Sequence, residues 1–371
     1  MKPLSKLRVP AFDGLRGTAV LAVLFYHLSD YCPVNSVPAV KLKMVLRGGW
    51  CGVDLFFVLS GFLITGILLD TQNAQNYFRG FYARRALRIF PIYYAALTLV
   101  LLTARFTPAL DGVLPPAHDR MFYFLYLNNW WVLLHGAWRA NVIGHFWSLA
   151  VEEQFYLAWP LIVWRLSIKS VMVIAISGIV LAPAIRVVLY AHWGAIRDIV
   201  ENPFCRMDSL LMGALLASLV RSPNIAERLR SIFGWMAATA AIAVVVGNFS
   251  NSAILRLGGS PLFIFSGLAV AFGCLILHVF TNRNPTSALQ RILSCPALTA
   301  CGKYSYGMYI YHVPLLWICT RWETGLKPAD DLLAFVSLTW GVTAVTFAAA
   351  KVSYDCFEMR FLTLKTRYAA T

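Results

Sequence analysis

The sequence predicts an all-α polytopic membrane bundle of about ten transmembrane helices with both termini in the cytoplasm, and three observations predict it. Of 371 residues, 59% are hydrophobic and only 13% charged, against about 25% charged in soluble domains. Too little charge remains to coat a water-exposed surface, so the apolar excess must face lipid. Ten runs reach the roughly 20 apolar residues that cross about 30 Å of hydrocarbon. The basic residues, finally, distribute unevenly between the segments that join those runs. The composition also excludes a disordered, collagen-like or disulfide-rich secreted chain. A nucleic-acid binder is excluded as well, despite a net charge of +15.

The runs cover 11–31, 49–70, 89–106, 145–165, 170–190, 204–220, 232–250, 260–280, 303–320 and 332–353. The first follows basic residues, as a signal peptide's core does. It contains Arg16 and His27, however, lacks a small-residue cleavage site and is long enough to span, so it reads as a retained helix. Between the third and fourth runs, 119–135 carries Asn128, Asn129, Trp130 and Trp131 among further aromatics. That composition fits an interfacial or re-entrant piece, because Trp and Tyr concentrate at membrane surfaces. With the N-terminus inside, eighteen Lys and Arg residues fall on inner segments and ten on outer ones. The positive-inside rule therefore places both termini in the cytoplasm. No soluble domain, repeat or low-complexity linker interrupts the pattern, which reads as one domain over 1–371. With eighteen residues after the last span, no appended extracytoplasmic domain is expected.

Eight cysteines form no CxxC pair. Cys205, Cys274, Cys301, Cys319 and Cys356 lie in or beside apolar runs and read as buried thiols, while Cys32 and Cys51 flank the first outer loop and could pair in an oxidising compartment. No metal site is expected.

Charges inside a bilayer cost from about 3 to more than 10 kcal/mol, so retained ones usually line a cavity or pathway. Here they are Asp13, Arg16 and His27 in the first run, Asp54 in the second, and His145, Glu152 and Glu153 in the fourth. The sixth run adds Arg206 and Asp208, and the ninth His312. On a helix, Arg16 and His27 differ by only about 20° in azimuth and lie about 16 Å apart along the axis. One stripe joins a permanent cation to a titratable base; a snorkelling Arg and a structurally satisfied His are the alternative. His145, Ser148, Glu152 and Tyr156 share a helix face, and Glu153 points about 100° away. One carboxylate could orient an imidazole and the other tie helices together, or either could simply be wet. Ser305, Tyr309 and His312 share a face suited to a polyol, as they would also suit an aromatic girdle.

Arg79, Arg84, Arg85 and Arg88 precede the third run, with Pro91 just after them. They serve either as positive-inside anchors or as a phosphate site, since guanidinium forks bind phosphate oxygens bidentately. GxSxG, HExxH, GxxxxGK and HxxxxD motifs are absent.

Six stretches, in order, carry a resemblance: Phe12-Asp-Gly-Leu-Arg-Gly-Thr18 continuing to His27, Gly52–Phe62, Arg84–Pro91, His145–Tyr156, Arg206–Asp208 and Ser305–His312. Together they resemble the acyltransferase-3 family of integral-membrane O-acyltransferases, which acylate bacterial surface polysaccharides, peptidoglycan, Nod factors and macrolides, typically from acyl-CoA. The resemblance implies that Arg16 and His27 are the family's Arg-then-ten-then-His signature and that Arg85 and Arg88 are its cytoplasmic Arg motif. It implies an enzyme of the bacterial inner membrane that binds no tight cofactor and takes acyl-CoA, with acetyl the usual acyl group, as co-substrate. The acceptor would be a carbohydrate, lipid-linked sugar or small molecule. Arg84, Arg85 and Arg88 would hold the donor's phosphates, and His27 would be the general base beside Arg16, with Glu152 or Glu153 orienting it. Asp54, His145, Trp147, Arg206, Asp208, Tyr309 and His312 would line the acceptor's path. A transporter of a glycan or lipid-linked sugar is the alternative from another class, although no inverted repeat or matching pair of broken helices is evident.

Overall fold

A computed structural model describes residues 9–31, 34–135, 142–193, 201–221, 260–282, 284, 286–322 and 332–368. These residues form a helical bundle. Every apolar run except 232–250, which lies outside the described residues, falls on a helix. The helices are α1 (Pro10–Tyr31), α2 (Val37–Arg47), α3 (Gly52–Asp70), α4 (Tyr77–Ala104), α5 (Pro108–Asp111), α6 (Met121–Phe124), α7 (Asn128–His135) and α8 (Trp147–Arg165). They continue as α9 (Ile168–Trp193), α10 (Pro203–Leu219), α11 (Ser260–Thr281), α12 (Ala288–Leu293), α13 (Pro296–Lys303), α14 (Ser305–Trp322), α15 (Leu332–Ser353) and α16 (Met359–Leu362).

Among the described residues, five helical segments are long and apolar enough to cross a membrane: 37–70, 77–104, 168–192, 262–281 and 332–368. The helices that fall short of that length and apolarity include α1, α8, α10 and α14, which carry most of the candidate polar residues. Lipid can surround the apolar helices, whereas the polar ones need partners inside the bundle. Accordingly α1 packs on α3, α13 and α14, and α10 packs on α3 and α9.

The α3–α10 contact shows how close this packing is. A Cβ on Gly61 would strike the Leu210 carbonyl, and one on Gly213 the Val58 carbonyl. Backbones can approach this closely only where neither helix presents a side chain, the usual role of small residues between membrane helices.

One sequence expectation changes here, and the segment 119–135 gains a shape. Helix α4 begins at Tyr77, so the arginine cluster stands on the helix rather than before it, and Pro91 lies inside. Tyr77 and Phe81 are buried there, and the Tyr77 hydroxyl donates to the Pro160 carbonyl at 3.0 Å. That packing against α8 extends the helix beyond its apolar part. Segment 119–135 forms two short helices, α6 and α7, with Tyr126 at φ 54° between them. Eight-residue α7 is only about 12 Å long. Its Asn128 and Asn129 are buried among protein groups, and Gln154 of α8 hydrogen bonds Asn129 and the Tyr126 carbonyl.

Of the thiols, Cys205 and Cys274 are buried but Cys356 is exposed. The suggested Cys32–Cys51 pair involves Cys32, outside the described residues.

Candidate active site

The site begins where α1 meets α13. A Cβ on Gly17 would meet the Leu298 carbonyl, and one on Gly302 the Asp13 carbonyl, so glycines let the two backbones touch. Beside this contact Arg16 Nη1 donates to Asp13 Oδ1 at 2.8 Å, one turn away. Two cavities meet at Arg16, Arg88 and Tyr306. The larger, about 700 Å³, is also lined by Asp13, Lys303 and Glu358. The smaller, about 100 Å³, is also lined by Arg85, Glu152, Tyr156, Ser148 and Tyr309.

Arg85 and Arg88 thus line cavities, whereas Arg84 lines neither. The Arg85 guanidinium lies over the Tyr156 ring at 5.5 Å, held by a cation–π contact. Lys365 stands within electrostatic reach of Arg84, Arg85 and Arg88. Glu358, on the π-helical turn Tyr354–Glu358, is the nearby countercharge. Neither Lys303 nor Glu358 was legible as a site residue, because each lies at or beyond the end of an apolar run.

Ser148 and Tyr309 join this cavity to a histidine group. Their hydroxyls are 2.5 Å apart, and the Tyr309 hydroxyl also donates to the His145 carbonyl at 2.9 Å. The imidazole centroids of His27 and His312 are 4.9 Å apart, those of His145 and His312 4.7 Å, and those of His27 and His145 6.2 Å. Three histidines read separately along the chain therefore form one cluster where α1, α14 and the turn before α8 converge. His27 is half-buried, while His145 and His312 are buried. Both nitrogens of His145 lack a hydrogen-bond partner among the described residues.

The carboxylates take other places than the one expected beside His27. Glu152 lines the smaller cavity beside Ser60 and Tyr156, within reach of Arg85 and Arg16. Glu153 lies near Arg85 and the tyrosines Tyr93, Tyr126 and Tyr306. His27 instead meets the Val23 carbonyl and His312.

The remaining candidates are committed to buried ion pairs. Arg206 pairs with Asp54 at 2.9 Å, and its guanidinium lies over the rings of Phe265, Trp147 and Phe57. Asp208 pairs with Arg186 at 2.9 Å, with both side chains 0% exposed. That full burial gives Asp208 a different employment from lining a path: it ties α10 to α9 and, through Ser266, to α11. Arg186 was overlooked in the sequence, although an arginine inside the run 170–190 is the same signal that marked the others.

The family model for acyltransferase-3, described as an acyltransferase domain, matches residues 9–351. The chain is 29% identical over 334 residues to the peptidoglycan O-acetyltransferase OatA of Listeria monocytogenes, covering 85% of this chain and 50% of that protein. It is 32% identical over 335 residues to a Bacillus subtilis protein named "Putative peptidoglycan O-acetyltransferase YrhL", covering 84% of this chain and 49% of that one. The chain thus spans about half the length of these curated relatives. No solved structure matches it. With nearly its whole length under one family model and its signature residues gathered in one bundle, the chain belongs to the acyltransferase-3 family of membrane acyltransferases.

Proposed function

We propose that this protein is an O-acyltransferase that moves an acetyl group from acyl-CoA on the cytoplasmic side to a hydroxyl of a cell-envelope glycan. One observation carries the reading: two cavities share Arg16 and Arg88, and the smaller is also lined by Tyr309, which abuts the histidine cluster. Arg16, Arg85 and Arg88, with Lys303 beside them, suit the phosphates of a nucleotide-bearing thioester, since guanidinium groups keep their charge and bind phosphate in forks. The arm of such a donor would reach from Arg16 towards His27, about 16 Å along α1. A glycan acceptor accords with the peptidoglycan named for the relatives.

In the proposed reaction His27 takes the proton of the acceptor hydroxyl while its oxygen forms a bond to the thioester carbonyl carbon. The tetrahedral intermediate then expels CoA thiolate as the C–S bond breaks, and the thiolate recovers the proton. Positioned proton transfer of this kind contributes about 10²- to 10⁴-fold. Ten spans with both termini cytoplasmic, in a bacterial inner membrane, would put the arginine end at the cytoplasm and His27 deeper.

His27→Ala should lower glycan O-acetyl content about 10²-fold or more in a complemented deletion strain, read by mass spectrometry of released glycans. Full acetylation would remove His27 from the reaction. A reporter fused at Asn224 should prove cytoplasmic; an external signal would reverse the proposed topology.

A further inference from the structure

We infer that His312 is a positioning residue that holds His27 in a single tautomer with Nε2 as the reactive atom, in the place a carboxylate often fills beside a catalytic histidine. The inference rests on the acyl-transfer reading for its consequence but on donor and acceptor chemistry for its geometry. A neutral imidazole has one N–H donor and one acceptor nitrogen, and a backbone carbonyl only accepts. His312 Nδ1 lies 2.6 Å from the Tyr309 carbonyl oxygen, so it carries the proton. The Nε2 of neutral His312 is then a bare acceptor. His27 Nδ1 lies 3.2 Å from that nitrogen and 3.0 Å from the Val23 carbonyl oxygen. Facing two acceptors, His27 Nδ1 must carry the proton, which leaves Nε2 with its lone pair.

The hydrogen bonds of the His27 ring among the described residues are both made by Nδ1, and His27 is the one ring of the three that is not fully buried. The free lone pair therefore belongs to the accessible histidine. When Nε2 takes the acceptor's proton, His27 becomes an imidazolium whose Nδ1–H points at His312 Nε2. The acceptor nitrogen shares the new positive charge, and His312 Nδ1–H remains anchored to the Tyr309 carbonyl. The same tyrosine lines the smaller cavity, so the proposed donor path and the histidine pair meet at one residue. No carboxylate is hydrogen bonded to His27: Glu152 and Glu153 lie among the arginines and tyrosines, and Asp30, within electrostatic reach of the imidazole, is bonded to Arg47.

The test uses the full chain labelled with ¹⁵N-histidine in phosphatidylethanolamine–phosphatidylglycerol bilayers, with His27→Gln and His312→Gln spectra to assign the two rings among seven histidines. The inference expects His27 as the Nδ1–H tautomer, with a nitrogen–nitrogen coupling across the bond to His312. A His27 ring protonated on Nε2 overturns it. In cells, His312→Phe, which removes the acceptor, should lower glycan acetylation about 10²-fold, whereas His312→Gln, whose amide oxygen can still accept, should retain at least about a tenth of wild-type activity. Equal losses in the two variants at matched membrane levels, or wild-type activity in His312→Phe, also overturn the positioning role. Should the tautomer be as inferred while His27→Ala acetylates normally, the acyl-transfer assignment of His27 fails and the histidine pair stands.

Discussion

Replacing Arg186 with Met tests whether the most deeply buried ion pair in this bundle is structural. The Arg186 guanidinium has five N–H donors, and all five are taken: Nε by the Leu262 carbonyl, Nη1 by the Cys205 carbonyl and Asp208, and Nη2 by Asp208 and Ser266. Met fills much of the same volume but satisfies none of these acceptors. It also leaves the Asp208 carboxylate, 0% exposed, without its countercharge. Removing one partner of such a pair costs about 3–5 kcal/mol, whereas replacing both with apolar residues is often neutral or stabilising. Arg186→Met should therefore destabilise strongly, and Arg186→Met with Asp208→Leu should recover most of the loss. The assay is thermal unfolding of the detergent-purified chain, followed by size-exclusion fluorescence, as a double-mutant cycle. Glycan acetylation by the double variant gives the second readout and should persist. A single variant as stable as wild type would refute the reasoning. So would a double variant less stable than either single. Loss of acetylation in a stable double variant would return Asp208 to the acceptor's path.

Two further outcomes follow from the geometry. Arg88→Ala should weaken binding of desulfo-CoA to the purified protein by about 10- to 100-fold, the equivalent of about 1.5–3 kcal/mol for a lost charge-assisted bond, and unchanged affinity by calorimetry would leave Arg88 as an anchor only. Gly61→Leu should lower stability by about 1–3 kcal/mol or more, because its side chain would meet the Leu210 carbonyl where the backbones of α3 and α10 touch, and an unaltered melting profile would show that those helices can separate cheaply.

Much of the candidate site was legible because polar residues in apolar runs are conspicuous. Arg16, His27, Glu152 and His312 stand out in this way, and the 3.6-residue period puts Arg16 and His27 on one face without any coordinates. Helix α4 was less legible at its start: apolarity marks where lipid begins, not where hydrogen bonding begins, so the arginine cluster reads as preceding the helix although Tyr77 and Phe81 are buried on it. The partner of Asn129 was not legible for a related reason. Composition says that an amide needs a polar partner but cannot say whether that partner is water or Gln154.

By itself, the sequence determined that this chain is a helical membrane protein, which residues in it are too costly to leave unpaired, and which family its motifs match. Those properties are local: they depend on runs of about 20 residues and on spacings within one helix. Only the tertiary structure decided the pairings, because residues such as His27 and His312, 285 positions apart, meet through packing that no local period encodes. It gives His27 a second imidazole as its partner in place of Glu152 or Glu153. It also bound Asp208 to Arg186, since a charge inside a bundle goes to whichever neighbour the helix contacts bring within hydrogen-bond reach.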